Sequence, residues 1–274
     1  MTTRADFKSG FAQSDGARIY FESAGFGPAV VFIHAGVSDR RMWDPQFDYF
    51  AERFHVVRYD LRGFGKSEMI DLSYSNRADL GRVLQFLEIE KAALVGCSMG
   101  GLTAIDFTLE HPDRVTALLT VGSGVSGWNE WSDEGSRRWT EFMRLAKEGE
   151  IERAREMEAV LWLDGPGRNI SRIDPIYRRR AREIHKDNFS LARDAHPEEE
   201  LRPPAIRRLG EIKCPTLILV GDSDTSEIVE IASRLAKEIP GARLVTVANA
   251  AHLPSLEHPN EFNAIVNDFL TPIL

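Results

Sequence analysis

The chain has 274 residues, with 34 Lys+Arg against 42 Asp+Glu, which gives a formal net charge of −8. A chain this acidic is expected to repel nucleic acid and anionic lipid, and two cysteines are too few for a disulfide framework. Because we find neither an apolar run of the signal-peptide kind near the start nor the ~18 apolar residues of a membrane span, we expect a soluble, cytoplasmic protein.

Apolar runs alternate with helical patterns along the chain, as in a parallel sheet whose strands are joined by crossover helices. The predicted strands are Arg18–Glu22 (an outer strand), Ala29–His34, His55–Tyr59, Ala92–Cys97, Arg114–Val121, Thr216–Val220 and Arg243–Val247. The predicted helices are Met42–Arg53, Asn76–Leu87, Leu102–Leu109 and Glu261–Leu270. This order predicts an α/β fold with a mostly parallel central sheet flanked by helices.

The composition changes between residues 125 and 210. These 86 residues hold 17 basic and 17 acidic side chains, together with four of the five tryptophans. We predict that they form a helical cap inserted after the strand that ends near residue 122. The α/β core then consists of residues 1–124 and 211–274, and "the cap" denotes residues 125–210 below.

Two segments of the cap have helical patterns dense in opposite charges. They are Glu148–Val160 and Arg178–Asp187, and such patterns are typical of exposed helices with i,i+4 ion pairs. We expect the basic run Arg178–Arg180, with Arg182, to be a solvent-facing helix surface because acidic residues surround it.

The segment Gly96–Gly100 reads GCSMG, a G-x-S-x-G arrangement between a predicted buried strand and a predicted helix. Such a turn holds its serine in a strained backbone conformation with the hydroxyl above the sheet. Side chains two residues before and after would collide, which accounts for Gly96 and Gly100. Ser98 is therefore the candidate nucleophile.

A serine hydroxyl needs a base to take its proton and an acid to orient that base. His252 lies in a loop of small residues between the last strand and the final helix. The other histidines lie at element boundaries or in the cap: His34, His55, His111, His185, His196 and His258. The strand Thr216–Val220 is followed by two carboxylates, of which Asp224 is the candidate acid and Asp222 the alternative.

The order Ser98, Asp224, His252 is that of the α/β-hydrolase triad. Other segments also match motifs of that family: His34–Gly36 followed by MWDPQ (42–46), DLRGFGKS (60–67), Gly221–Asp224 and HLPSLEHP (252–259). Together with the serine turn they resemble the α/β-hydrolase family over nearly the whole chain, and the cap resembles that family's cap.

The family commonly has His-Gly at the oxyanion loop, where this chain has His34-Ala35. Aligned on Trp43, the donor position falls on Gly36. The resemblance then implies an oxyanion hole made by the backbone N–H groups of Gly36 and Met99, or of Val37 if the loop is shifted by one residue.

A serine nucleophile favours attack on an acyl carbon over the aspartyl-ester chemistry of haloalkane dehalogenases and epoxide hydrolases. We expect a serine hydrolase that cleaves carboxylic esters of small to medium, largely apolar substrates. The MWDPQ segment and the turn around Ser98 resemble 3-oxoadipate enol-lactonase-type enzymes, which makes a lactonase the first alternative. C–C bond hydrolases share the triad, but Val37-Ser38-Asp39 does not match their usual oxyanion loop; perhydrolases and a slow-hydrolysing small-molecule receptor remain further alternatives.

The candidate substrate-binding residues are Val37, Trp128, Trp131, Trp139 and Leu253. The tryptophans either line an apolar pocket facing Ser98 or pack the cap onto the core. The chain has no H-E-x-x-H motif, no clustered Cys/His spacing and no nucleotide-binding βαβ motif, so we expect no metal and no cofactor. The expected partners are a small-molecule ester or lactone and a second copy of the chain in a homodimer.

Overall fold

An eight-stranded sheet forms the centre of the structure, a computed structural model that describes residues 6–190 and 198–274. In chain order the strands are β1 (Lys8–Ser14), β2 (Ala17–Ala24), β3 (Ala29–Ile33), β4 (His55–Tyr59), β5 (Ala92–Cys97), β6 (Val115–Val121), β7 (Thr216–Gly221) and β8 (Arg243–Val247). Their order across the sheet is β1-β2-β4-β3-β5-β6-β7-β8. The pairs β1/β2 and β2/β4 are antiparallel and the other pairs are parallel.

Helices cover both faces of this sheet, because every residue of β3, β5 and β7 is buried and needs apolar neighbours on each side. The α-helices are α1 (Asp44–Phe50), α2 (Asn76–Phe86), α3 (Met99–Glu110), α4 (Asp133–Lys147), α5 (Ile151–Glu158), α6 (Pro175–Asn188), α7 (Ser226–Glu238), α8 (Pro254–Glu257) and α9 (Pro259–Leu270). Two large apolar clusters pack one on each side of the sheet. The predicted fold class is thus confirmed.

The prediction that Arg18–Glu22 is an outer strand was wrong. The strand β2 that contains it is hydrogen bonded to β4 on one side and to β1 on the other, so β1 is the edge strand. The sequence of β1, KSGFAQS, has no clear strand pattern, because only two of its seven residues are buried. An edge strand needs little apolar character, which is why hydrophobic periodicity missed it.

The described part of the cap is helical. It contains α4, α5, a π-helix (Ala159–Asp164) and α6. The helix predicted over Glu148–Val160 begins later than predicted, at Ile151. Gly149 has a left-handed φ of 75°, which ends α4 and separates it from α5. His196 lies outside the described residues.

The two ends of the cap meet at Ser126. The N–H of Ile206 donates to the Ser126 carbonyl at 3.1 Å, and the N–H of Ala205 donates to the Ser126 hydroxyl at 2.8 Å. That hydroxyl donates in turn to Asp106 on α3 at 2.7 Å. The outgoing and returning chains are therefore anchored together on the helix that follows Ser98.

The basic run on α6 is not a free solvent-facing surface, contrary to the prediction. Arg178 and Arg182 both bond to the carboxylate of Asp164, whose side chain is 3% exposed. Arg180 pairs with Asp44 of α1 at 2.7 Å. Spacing along the helix could not reveal these partners, since they lie on other elements.

Among the described residues, no helix is long and apolar enough to cross a membrane.

Candidate active site

The turn between β5 and α3 places Ser98 at the carboxyl edge of the sheet. Its backbone has φ 53° and ψ −114°, a region that non-glycine residues seldom adopt, and the residue is partly exposed. A Cβ on Gly96 would lie 2.2 Å from the Gly100 carbonyl oxygen, and one on Gly100 would lie 2.3 Å from the Ile33 carbonyl oxygen. The two glycines are therefore required by the close approach of backbone around the serine.

His252 and Asp224 lie side by side beyond β8 and β7. The Nδ1 atom of His252 is 2.8 Å from Oδ2 of Asp224, and both side chains are almost fully buried. The second oxygen of Asp224 accepts the N–H of Thr225 at 2.8 Å. Asp222, the alternative acid, is exposed and accepts the hydroxyl of Ser223. The histidine is thus oriented by Asp224 rather than by Asp222.

The serine turn and the histidine loop are in direct contact. The thiol of Cys97 donates to the His252 carbonyl at 3.6 Å, so the residue before Ser98 touches the histidine backbone. Beneath them passes the end of β6, where a Cβ on Gly122 would lie 3.1 Å from both Asp224 Oδ2 and His252 Nδ1. Three strand ends therefore bring the serine, the acid and the histidine to one place, with Nδ1 of the histidine facing the acid.

Cys97 does not compete with Ser98 as a nucleophile. Burial raises the pKa of its thiol well above the usual range, and the charge of Asp224 raises it further. A protonated, buried thiol is inert. Ser98, by contrast, is partly exposed.

The candidate oxyanion donors lie next to each other. Met99 begins α3, where backbone N–H groups have no partner within the helix. Gly36 follows β3, and a Cβ placed on it would lie 3.1 Å from Cε of Met99. Val37, the alternative donor, is partly buried beside them. The loop of β3 and the start of α3 thus face each other across the end of the sheet.

His34 keeps this loop in place. Its Nε2 atom accepts the N–H of Leu61 at 2.8 Å, so Nδ1 carries the proton and contacts the carbonyl of Ala35 at 2.8 Å. The side chain is fully buried. This histidine ties the Gly36 loop to the turn after β4 and is not available as a base.

A cavity of about 610 Å³ lies between the cap and the start of α7. Trp131 and Trp139 line it and are 60% and 62% exposed. From the core it is lined by Thr225, the residue after Asp224, and by Glu227 and Ile228 of α7. Its other apolar lining residues are Phe142, Met157, Leu161 and Trp162, and the rest of the lining is Gly135, Ser136, Arg138, Thr140 and Glu158.

Three predicted substrate-binding residues lie outside the lining of this cavity: Val37, Trp128 and Leu253. Val37 is partly buried and packs against the same apolar cluster as Leu253. Trp128 is partly buried against the core, with the guanidinium of Arg234 5.8 Å from its ring. Leu253 is 1% exposed and belongs to the core on the other side of the sheet. The structure therefore brings Trp131 and Trp139 together at one cavity but leaves Trp128 and Leu253 in packing positions.

Sequence reasoning missed Trp162 as a site residue. It lies in the π-helix of the cap, lines the cavity and places its ring centroid 4.5 Å from that of His252. A π-helix frequently occurs at functional sites, but its extra residue per turn leaves no mark in the sequence. Only the fold brings position 162 to the histidine.

The family model of the alpha/beta hydrolases matches residues 30–265 of the chain. A curated relative from Paraburkholderia phymatum, a 2-hydroxy-6-oxononadienedioate/2-hydroxy-6-oxononatrienedioate hydrolase, is 30% identical over 267 residues, which cover 92% of this chain and 91% of the relative. A solved enzyme described as N-acyl homoserine lactone degrading is 28% identical, with a TM-score of 0.77 over 95% of this chain and 100% of its own. The enol-lactonase of Burkholderia xenovorans LB400 is 25% identical, with a TM-score of 0.75 over 96% and 100%.

Proposed function

Because the chain belongs to the alpha/beta hydrolase family, we propose that it is a serine hydrolase that cleaves carboxylic esters of small to medium, largely apolar substrates. The observation that carries this proposal is the 2.8 Å contact between His252 and Asp224 beside the strained turn of Ser98. A histidine oriented through Nδ1 presents its other nitrogen for proton transfer.

In the proposed reaction, Nε2 of His252 takes the proton of the Ser98 hydroxyl as the oxygen attacks the ester carbonyl carbon. Asp224 stabilises the imidazolium that forms, and the N–H groups of Gly36 and Met99 stabilise the oxyanion. The imidazolium then gives its proton to the leaving alcohol as the C–O bond breaks, which leaves an acyl group on Ser98. His252 next deprotonates a water molecule, whose attack releases the carboxylic acid and restores the serine.

The cavity beside Trp162 supports an apolar substrate. Half of its fourteen lining residues are aromatic or aliphatic, and pockets of about 300–1,000 Å³ are typical of small-molecule sites. Its charged lining residues are Arg138, Glu158 and Glu227, and Arg138 is paired with Glu134. A net negative lining disfavours a dicarboxylate such as the dioates in the names of the curated relatives.

A lactone is the second candidate substrate class. The solved enzymes that degrade N-acyl homoserine lactones and enol-lactones match 95–96% of this chain at 25–28% identity. Lactone opening uses the same serine chemistry, except that the leaving alcohol stays attached to the acyl group. An apolar cavity next to the acid loop suits the acyl chain of such a substrate as well as that of an ester.

The test is steady-state hydrolysis of p-nitrophenyl esters from acetate to octanoate beside a panel of lactones, with Ser98→Ala as the control. Ester turnover that is lost in Ser98→Ala supports the proposal, and fast lactone opening with weak ester turnover supports the lactonase. One equivalent of product followed by near-zero turnover would instead indicate a receptor with slow hydrolysis. Ester turnover that survives in Ser98→Ala would contradict the proposal.

A further inference from the structure

A buried ion pair connects the cap to the loop that carries His252. Arg168 donates to the carboxylate of Glu257 in α8, with Nη2 to Oε1 at 2.7 Å and Nη1 to Oε2 at 3.3 Å. The side chain of Glu257 is 2% exposed and that of Arg168 is 14% exposed. The same carboxylate accepts the N–H of Ala251 at 2.9 Å. Glu257 thus holds the backbone of Ala251, the residue immediately before His252, through a hydrogen bond.

Arg168 also contacts the loop directly. Its Nη2 atom donates to the carbonyl of Asn249 at 2.7 Å, and its Nη1 atom donates to the carbonyl of Asp164 at 3.2 Å. Asn249 has a left-handed φ of 55°. Few non-glycine residues adopt this conformation, asparagine more often than most, and its surroundings hold it there. The guanidinium therefore bridges the end of the π-helix and Asn249 of the histidine loop.

The packing around this bridge leaves little room for movement. A Cβ on Gly165 would lie 2.9 Å from the Ser223 carbonyl oxygen and 3.0 Å from Cβ of Ala251. The cap turn at Gly165 and Arg168 therefore contacts both the loop before Asp224 and the loop before His252.

We propose that Arg168 is a positioning residue: through Glu257 and the Asn249 carbonyl it holds the loop Asn249–His252 so that Nδ1 of His252 stays on Asp224. This inference rests on the proposed function, in which His252 is the base. Without the guanidinium, Glu257 becomes a buried carboxylate with no cation, which is strongly unfavourable. The loop then relaxes, and a displacement of ~1 Å in a catalytic group can lower the rate about 100-fold.

The experiment compares Arg168→Met and Arg168→Lys with a matched control, Arg180→Met. Arg180 also joins the cap to the core through an ion pair of 2.7 Å, with Asp44, but it does not contact the histidine loop. The readouts are kcat and KM on p-nitrophenyl butyrate, the low-field NMR signal of the His252 Nδ1 proton, and the thermal midpoint. Lysine keeps a cation beside Glu257, so this variant folds even if the methionine variant does not.

For Arg168→Met we expect kcat to fall about 10- to 100-fold with KM within about threefold, and the Nδ1 proton signal to broaden or disappear. Arg168→Lys should lie between this variant and the native protein, because one ammonium cannot reproduce the forked contacts to Glu257 and Asn249. Arg180→Met should keep the native kcat and the native proton signal. A native signal and native kcat in folded Arg168→Lys and Arg168→Met would overturn the proposal, as would an equal loss in Arg180→Met.

Labelling with a fluorophosphonate separates this inference from the function on which it rests. Failure of the native protein to be labelled at Ser98 would count against the serine hydrolase, whereas the NMR signal still reports on the loop. Native labelling at Ser98 together with equally fast labelling of the Arg168 variants would remove the positioning role and leave the serine hydrolase intact.

Discussion

The indole of Trp162 lies against the imidazole of His252, with ring centroids 4.5 Å apart and planes inclined by 44°. The tryptophan belongs to the cap and the histidine to the core, so this contact closes the cap over the candidate base. His252 is 2% exposed, and its Nδ1 atom faces Asp224. The same indole lines the cavity, so one side chain contacts both the histidine and the pocket.

We expect Trp162→Leu to lower kcat on p-nitrophenyl butyrate about tenfold, with a smaller loss in Trp162→Phe. The imidazolium formed during the reaction gains about 1–2 kcal/mol from an aromatic face, and phenylalanine retains part of that interaction. Steady-state kinetics of the two variants measure the difference. Equal kcat values in leucine, phenylalanine and native proteins would show that the ring does not act on the histidine.

The aromatic lining of the cavity predicts a change in chain-length preference. Trp139 stacks on Phe142, with ring centroids 5.8 Å apart, and its removal enlarges the pocket. We expect Trp139→Ala to change the octanoate-to-butyrate ratio of kcat/KM about three- to tenfold, since each buried methylene contributes about 0.8 kcal/mol. Trp128→Ala should leave that ratio as it is, because Trp128 lies outside the lining. The opposite pattern would place the acyl chain near Trp128.

Replacing the two neighbouring carboxylates should have very different effects. Asp224→Asn is expected to lower kcat by a factor of about 10⁴, the scale seen when an amide fixes the wrong tautomer of a triad histidine. Asp222→Asn changes the same chemical group two residues away, on an exposed side chain, and should keep nearly native kcat. Ester kinetics of both variants, with circular dichroism to verify folding, make the comparison. Similar losses in both would mean that Asp224 has no special role.

Asp106, beneath the junction of the cap, predicts a pH dependence of stability. Burial raises its pKa to about 6, although the hydrogen bond from Ser126 opposes the rise. The folded state therefore holds a proton that the unfolded state loses near pH 4, so this group reduces stability as pH rises from about 4 to 6. Glu198, whose pKa is also raised to about 6 by burial and by the charge of Asp106, acts in the same direction.

Asp106→Asn keeps the acceptor for Ser126 but removes the charge. We expect its free energy of unfolding to equal that of the native protein near pH 4 and to exceed it by on the order of 1–3 kcal/mol at pH 7.5. Urea unfolding at a series of pH values measures this difference. A gap that stays constant with pH would rule out titration of Asp106 as its origin.

Local patterns in the sequence were sufficient for the parts of the site that depend on a single turn. The glycines around Ser98 can be recognised because a strand-to-helix turn so tight excludes side chains at those two positions. The fold class could also be predicted from local patterns, since strands buried on both faces of a sheet must be apolar throughout. The edge strand β1 was missed because it carries no strong apolar period. The helix predicted from Glu148 begins only at Ile151, because Gly149 has a left-handed φ.

The contacts of charged and aromatic side chains with distant segments could not be predicted from local sequence patterns. Arg178 and Arg182 look like a solvated surface until the fold brings Asp164 beneath them. Trp162 and Arg168 are separated from His252 by more than 80 residues, and nothing in their own surroundings points to it. Backbone sterics and burial act locally, so the sequence was sufficient to predict the buried strands and the residues that follow them at the carboxyl edge of the sheet. Which cap side chains contact the histidine and its loop cannot be predicted in this way, because contacts between distant segments depend on how the cap packs on the core.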